Sequence, residues 1–202
     1  ILLGTLFTVV CFLFERFITI SKANGAGNTD KFVAKIKELI AAKDLDGAIA
    51  ACDKQKGSLG NVVREGLMKY QFVQNDNTMD KESKVAAISK ALEEATALEL
   101  PMLSKNLSVI STCASIGTLV GLIGTVVGMI RAFGALAAAG TPDTAALATG
   151  ISEALVNTLV GILSSALAIM AYSFFSTRVD NITFAMDEAG FSIIQEFQSS
   201  GK

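Results

Sequence analysis

The sequence predicts an all-α membrane protein in which three transmembrane helices are extended by long cytoplasmic helices and several copies assemble as a ring. Three observations predict this. Between Lys105 and Arg131 lie 25 residues without a charge. Between Asp143 and Arg178 the one charged residue is Glu153. No stretch in the charged remainder shows the alternation of a strand, whereas apolar residues recur there at helical spacing. As a helix, the first uncharged run would reach about 37 Å, more than the ~30 Å of bilayer hydrocarbon. One such run could be a buried core helix of a soluble protein; two argue for lipid.

Residues 1–20 are expected to form the first span. ILLGTLFTVVCFLF opens on an apolar run without a basic leader, so it reads as a membrane helix that starts part-way along rather than as a signal peptide. Glu15 and Arg16 mark its inner end.

Residues 21–105 form a cytoplasmic helical domain in this reading. Asp30 is expected to cap a helix over 30–42 with the stripe Phe32, Val33, Ile36, Leu39 and Ile40. Leu45, Ala48, Ile49 and Cys52 make a second stripe that ends at Gly57. Val62, Val63, Leu67 and Tyr70 make a third, followed by a polar loop over 73–80. From Asp80 a long helix carries Val85, Ile88, Leu92 and Leu98 toward the membrane, with Pro101 kinking it without ending it.

Residues 106–136 are the second span, 137–146 a short outer loop, 147–177 the third span and 178–202 a C-terminal cytoplasmic helix. Arg16, Lys22, Lys105 and Arg178 lie at span ends on one side, the 132–146 connection has no Lys or Arg, and Arg131 at the outer end of the second span is the exception, placed to snorkel or line a vestibule. The excess of positive charge places the N-terminus and the short loop outside and the C-terminus inside.

Composition removes several function classes. There is no His, so Ser-His and Cys-His catalysis are impossible within these residues and the commonest metal ligand is missing. Cys11, Cys52 and Cys113 show no metal-binding spacing and read as three buried thiols. A net charge of −2 offers no field for nucleic acid. No catalytic pair, metal site or cofactor motif is seen, so the chain reads as a non-enzyme.

The polar residues inside the spans carry the chemistry. On the second span Ser104, Ser108, Ser111, Ser115, Thr118 and Thr125 recur at spacings of three, four or seven and share a face. Gly117, Gly121, Gly124 and Gly128 mark another side, where small residues let helix backbones approach. The glycine face reads as helix packing. The hydroxyl face reads as a pore lining, against the alternative that it too only packs. On the third span Thr149, Glu153, Asn157 and Ser164 lie in one sector, widened by Thr158, Gly161 and Ser165. A carboxylate in a span costs about 2.5–3.5 kcal/mol, so Glu153 must face protein or water. It is either a protonated staple between helices or an ion or proton site. One acid and three spans do not enclose a pore, which suggests a ring of copies with a partner helix supplying a further acid.

Three stretches carry a resemblance: ERF at 15–17, GLIGTVVGMIRAF at 121–133 and GISEALVNTLVGI at 150–162. They resemble the signature of the MotA/TolQ/ExbB proton-channel proteins, in the same order and the same spans. AAAGTPDTAALATGISEAL is similar to ExbB-type members from Bacteroidota. The resemblance implies a subunit of a bacterial inner-membrane motor: a pentameric ring embedded in lipid around a dimer of ExbD-like single-span partners, driving a TonB-like protein for outer-membrane transport. It implies pore threonines at Thr125 and Thr158 and the span-three glutamate at Glu153, with Asn157 and Ser152 departing from the usual apolar or small residues. Ser115, Thr118 and Asn157 join them in the expected proton pathway. A TolQ-like or motility stator, or a passive scaffold, are the competing readings.

Overall fold

The computed structural model describes residues 2–76, 78–138 and 144–200. Every element among them is helical: α1 Leu2–Ala23, α2 Thr29–Ala41, α3 Leu45–Gln55, α4 Gly57–Gln74, α5 Lys81–Ser104, α6 Leu107–Ala138 and α7 Thr144–Ser200. They form two compact units, one of Ile1–Arg16 with Asn106–Phe175 and one of Phe17–Lys105 with Ser176–Lys202.

The first unit holds most of α1, all of α6 and the first part of α7. Three helices of the chain are long and apolar enough to cross a bilayer, with mean hydropathy of 1.8 for α1 and 2.0 for the stretches containing α6 and α7. Their outward surfaces are bare hydrocarbon: Leu119, Leu122, Ile123 and Ile130 on α6 and Leu155, Leu159 and Ile162 on α7 are all more than half exposed. Water would not tolerate so continuous a patch. The chain is a multi-pass membrane protein. Residues 139–143 of the expected 137–146 loop lie outside the described residues.

α6 does not continue α5. Lys105 turns extended and Asn106 adopts a left-handed φ of 62°, so Leu107 starts a new helix. That break removes Ser104 from the hydroxyl face expected on the second span. Asn106 also donates from Nδ2 to Glu15 Oε2 at 3.3 Å. Glu15 in turn accepts two short bonds from Arg16, from Nε at 2.7 Å and from an Nη at 2.6 Å. The Arg16 side chain is 1% exposed, a buried charge held by a bidentate, charge-assisted pair.

The second unit is a helical domain whose core is built from the expected stripes. Ile36, Ala48, Val63, Leu67, Ile88 and Ile193 are fully buried, and Tyr70 meets Phe197 edge-on at 4.8 Å between ring centres. Three expectations are corrected here. Asn28, not Asp30, caps α2: its side chain accepts from the Asp30 and Lys31 amides, and Asp30 sits in the first turn, where it favours the helix dipole. Leu98 is exposed, because six residues past Leu92 is two-thirds of a turn off its face. Of the thiols only Cys52 is buried; Cys11 is exposed and Cys113 intermediate.

A clasp ties the end of α1 to the α3–α4 joint. The Ala26 amide donates to the Gln55 carbonyl at 2.7 Å, and Gln55 Nε2 donates to the Asn24 carbonyl at 3.2 Å. Gly57 has φ +74°, and a Cβ there would fall 2.4 Å from the Ala23 carbonyl oxygen. Only glycine fits that joint.

Candidate functional site

The seam between α6 and α7 gathers most of the residues singled out in the spans. Small residues occur on both sides of it, so the two backbones touch. A Cβ on Gly161 would lie 2.8 Å from both the Gly121 Cα and the Gly117 carbonyl oxygen. One on Gly121 would lie 3.1 Å from the Gly161 Cα, and one on Gly128 3.0 Å from the Ala154 Cβ. Gly124 faces Asn157, whose Cβ would be 3.0 Å from its own. Further along, Gly150 faces Ala132. Close backbone approach of this kind maximises dispersion contacts where lipid offers no hydrophobic drive.

The hydroxyls lie along the same seam. Thr118 donates to Ser165 Oγ at 2.8 Å. Thr125 and Thr158 share a hydrogen bond across the helices. The Thr125 hydroxyl is also 3.2 Å from the Ala154 carbonyl and 3.2 Å from the Gly121 carbonyl. Thr158 reaches the Ala154 carbonyl at 3.4 Å. Ser164 is fully buried, and its Oγ has no partner among the described residues.

The expected hydroxyl face of the second span therefore divides. Thr118, itself exposed, and half-buried Thr125 bond across the seam, while Ser108, Ser111 and Ser115 are exposed. Glu153 is exposed too, and forms no hydrogen bond or ion pair with another described residue. It stands next to Ala154, the residue packed on Gly128, and one turn from Asn157. Thr149 closes back on its own helix, to the Ala145 carbonyl at 2.9 Å.

Two features escaped the sequence reading. The small residues Gly150, Ala154, Gly161 and Ala168 recur at spacings of four and seven on α7 and were legible as the counterpart of the α6 glycines. The cluster of Glu15, Arg16 and Asn106 was not, because its members lie 90 residues apart in the chain.

Chemically, the site is a close-packed helix seam lined by hydroxyls, with a lone carboxylate at its flank. A hydroxyl both donates and accepts, so the Thr125–Thr158 pair can pass a hydrogen bond, and with it a proton, between a donor on one side and an acceptor on the other. Among the described residues no group of three or more His, Cys, Asp or Glu is placed to hold a metal ion.

A model of the MotA/TolQ/ExbB proton channel family matches residues 54–188. The Tol-Pal system protein TolQ of Pseudomonas aeruginosa is 30% identical over 117 residues, 58% of this chain and 51% of that protein. TolQ of Haemophilus influenzae is 32% identical over the same shares. The biopolymer transport protein ExbB of Pseudomonas putida is 28% identical over 177 residues, covering 81% of this chain and 53% of that protein. The chain spans about half the length of these curated relatives.

Proposed function

Because this chain belongs to the MotA/TolQ/ExbB proton channel family, we propose that it is the ring-forming subunit of an inner-membrane proton-driven motor. Copies assemble, as a pentamer in the family pattern, around a dimer of ExbD-like single-span helices. The N-terminus and the short loop face the periplasm and the C-terminus faces the cytoplasm. Protons enter near Glu153, reach an acid on the central partner, and leave past Thr125 and Thr158. Asn157, Ser115 and Thr118 keep the route wet. Neutralising the partner's acid changes its hold on the ring and lets the two move. Each proton crossing ~100 mV releases about 2.3 kcal/mol, enough to bias a conformational switch.

One observation carries this reading: Glu153 is a carboxylate in an apolar span that finds no partner among the described residues. A charge so costly in lipid needs water or a neighbouring subunit. Exposed Ser111 and Ser115 and the outward leucines likewise ask for neighbours.

The output is TonB-dependent transport across the outer membrane. The similarity to TolQ proteins supports a second reading, in which the same motor drives a TolA-like protein. Co-purification separates the two by the partner retained. Proton flux in liposomes with the single-span partner tests the motor itself. Glu153→Gln and Thr158→Val are expected to abolish the flux at matched protein levels. Wild-type flux in both variants would leave only a membrane scaffold.

A further inference from the structure

The second unit contains a cavity of about 330 Å³ lined by Lys43, Leu45, Tyr70, Gln74, Lys81, Lys84 and Phe197. Four helix ends bring these residues together. Lys43 sits at a left-handed φ of 61° between α2 and α3. Tyr70 and Gln74 close α4, Lys81 and Lys84 open α5, and Phe197 comes from the end of α7. The Tyr70–Phe197 edge-on pair makes a rigid apolar wall.

The charge of the lining is one-sided. Among the described residues, three lysines and no acidic side chain line the cavity. Lys81 is engaged, donating to the Gln198 carbonyl at 2.6 Å. The Lys43 and Lys84 ammonium groups form no hydrogen bond or ion pair with any described residue. The acids nearby are used elsewhere. Asp44 caps α3 at the Gly47 amide, and Asp46 accepts from Gln71. Asp76 accepts from Thr78, which with a lesser contribution from Lys84 holds its carboxyl below the usual range. Asp80 precedes α5 without a side-chain cap bond, and its contact with Ser83 holds its carboxyl below the usual range. The lining thus offers ammonium groups, which only donate, and the Gln74 carboxamide, which can donate. Its complement is a ligand rich in acceptors, poor in donors and multiply negative.

We propose that this cavity binds clustered phosphate groups, as on a small polyphosphate-bearing molecule. Lysine meets phosphate as a point charge and needs no planar fork, so Lys43 from the α2–α3 link and Lys81 and Lys84 from the start of α5 can converge on one anion. A cavity of about 330 Å³ lies at the small end of ligand sites and suits a pyrophosphate-sized group. The site is independent of the proton route in the spans.

The test uses the full chain in nanodiscs. Amine acetylation read by mass spectrometry reports Lys43 and Lys84, with Lys69 and Lys90 as references outside the cavity. Pyrophosphate or ATP added to zwitterionic discs is expected to protect Lys43 and Lys84 and not Lys69 or Lys90. Protection by phosphatidic acid in the disc, without added pyrophosphate, assigns the same site to a lipid headgroup. Calorimetry follows with pyrophosphate. The Lys43→Gln/Lys84→Gln variant should weaken binding about tenfold or more, and Lys69→Gln/Lys90→Gln should stay within about twofold. Gln74→Glu, which keeps all lysines, should weaken it as well. No protection by either phosphate source, or equal loss in both lysine pairs, overturns the proposal.

Discussion

The hydroxyls of Thr125 on α6 and Thr158 on α7 share a hydrogen bond across the seam, and both lie within reach of the Ala154 carbonyl. Two side chains from separate spans thus converge on one backbone acceptor. The arrangement needs the small residues beside it, since a larger side chain at Gly121 or Gly161 would push the helices apart and separate the pair.

The first prediction concerns that pair. Thr125→Val keeps the β-branched shape and deletes the hydroxyl; Thr125→Ser keeps the hydroxyl. A single interhelical hydrogen bond in a membrane contributes about 0.6 kcal/mol, so both variants should remain folded. Proton flux in liposomes should fall about tenfold or more in Thr125→Val and survive in Thr125→Ser. Equal flux in the two would show that the hydroxyl only packs.

The second concerns backbone contact. Gly161→Ala puts a Cβ 2.8 Å from Gly121 Cα and the Gly117 carbonyl, atoms that cannot rotate away. The expected cost is about 1–3 kcal/mol, read as a lower unfolding midpoint in detergent. Gly134 has nothing within 4 Å, so Gly134→Ala should gain up to about 1 kcal/mol from helix propensity.

The third addresses the clasp. Gly57→Ala places a Cβ 2.4 Å from the Ala23 carbonyl at a left-handed φ, and should destabilise the second unit by about 2 kcal/mol or more. At Gly27 the near atom is the Gln55 Oε1 at 3.0 Å, the end of a side chain whose Nε2 is bonded to the Asn24 carbonyl. Gly27→Ala then needs a shift of only a few tenths of an ångström and is expected to cost about 1 kcal/mol, less than Gly57→Ala. Thermal melts followed by circular dichroism compare the two.

The fourth is a pH dependence. Burial, reinforced by the Asp53 charge, pushes the Cys52 thiol from 9.0 up to about 12. The folded state then holds the proton where the unfolded state releases it. Stability from this group is complete below pH 9 and declines as pH rises toward about 12. Denaturant titrations at pH 8 and about pH 10.5 should show the decline, and Cys52→Ala should flatten it. The folded thiol should also resist alkylation at neutral pH, since the thiolate is the nucleophile.

Much of the fold was legible because its signals are local. Uncharged runs longer than a bilayer announce spans in any context, and the stripes through Ile36, Ala48, Val63 and Ile88 follow from a period of 3.6 residues. Leu98 and Asp30 misled for a related reason. A stripe drifts off its face when a residue falls out of step, and a cap is chosen by backbone geometry, where Asn28 had the extended conformation.

The amino-acid sequence by itself determined the helical class, three apolar helices able to cross a bilayer, and the acid and hydroxyls within them, because each depends on residue type and spacing alone. Tertiary structure decided which hydroxyls meet. It turned Thr118 and Thr125 toward Ser165 and Thr158, left Ser115 and Glu153 outward, and drew Arg16 and Asn106 to Glu15. Those outcomes depend on helix rotation and on the break at Asn106, which are fixed only when backbones close on one another across long stretches of chain.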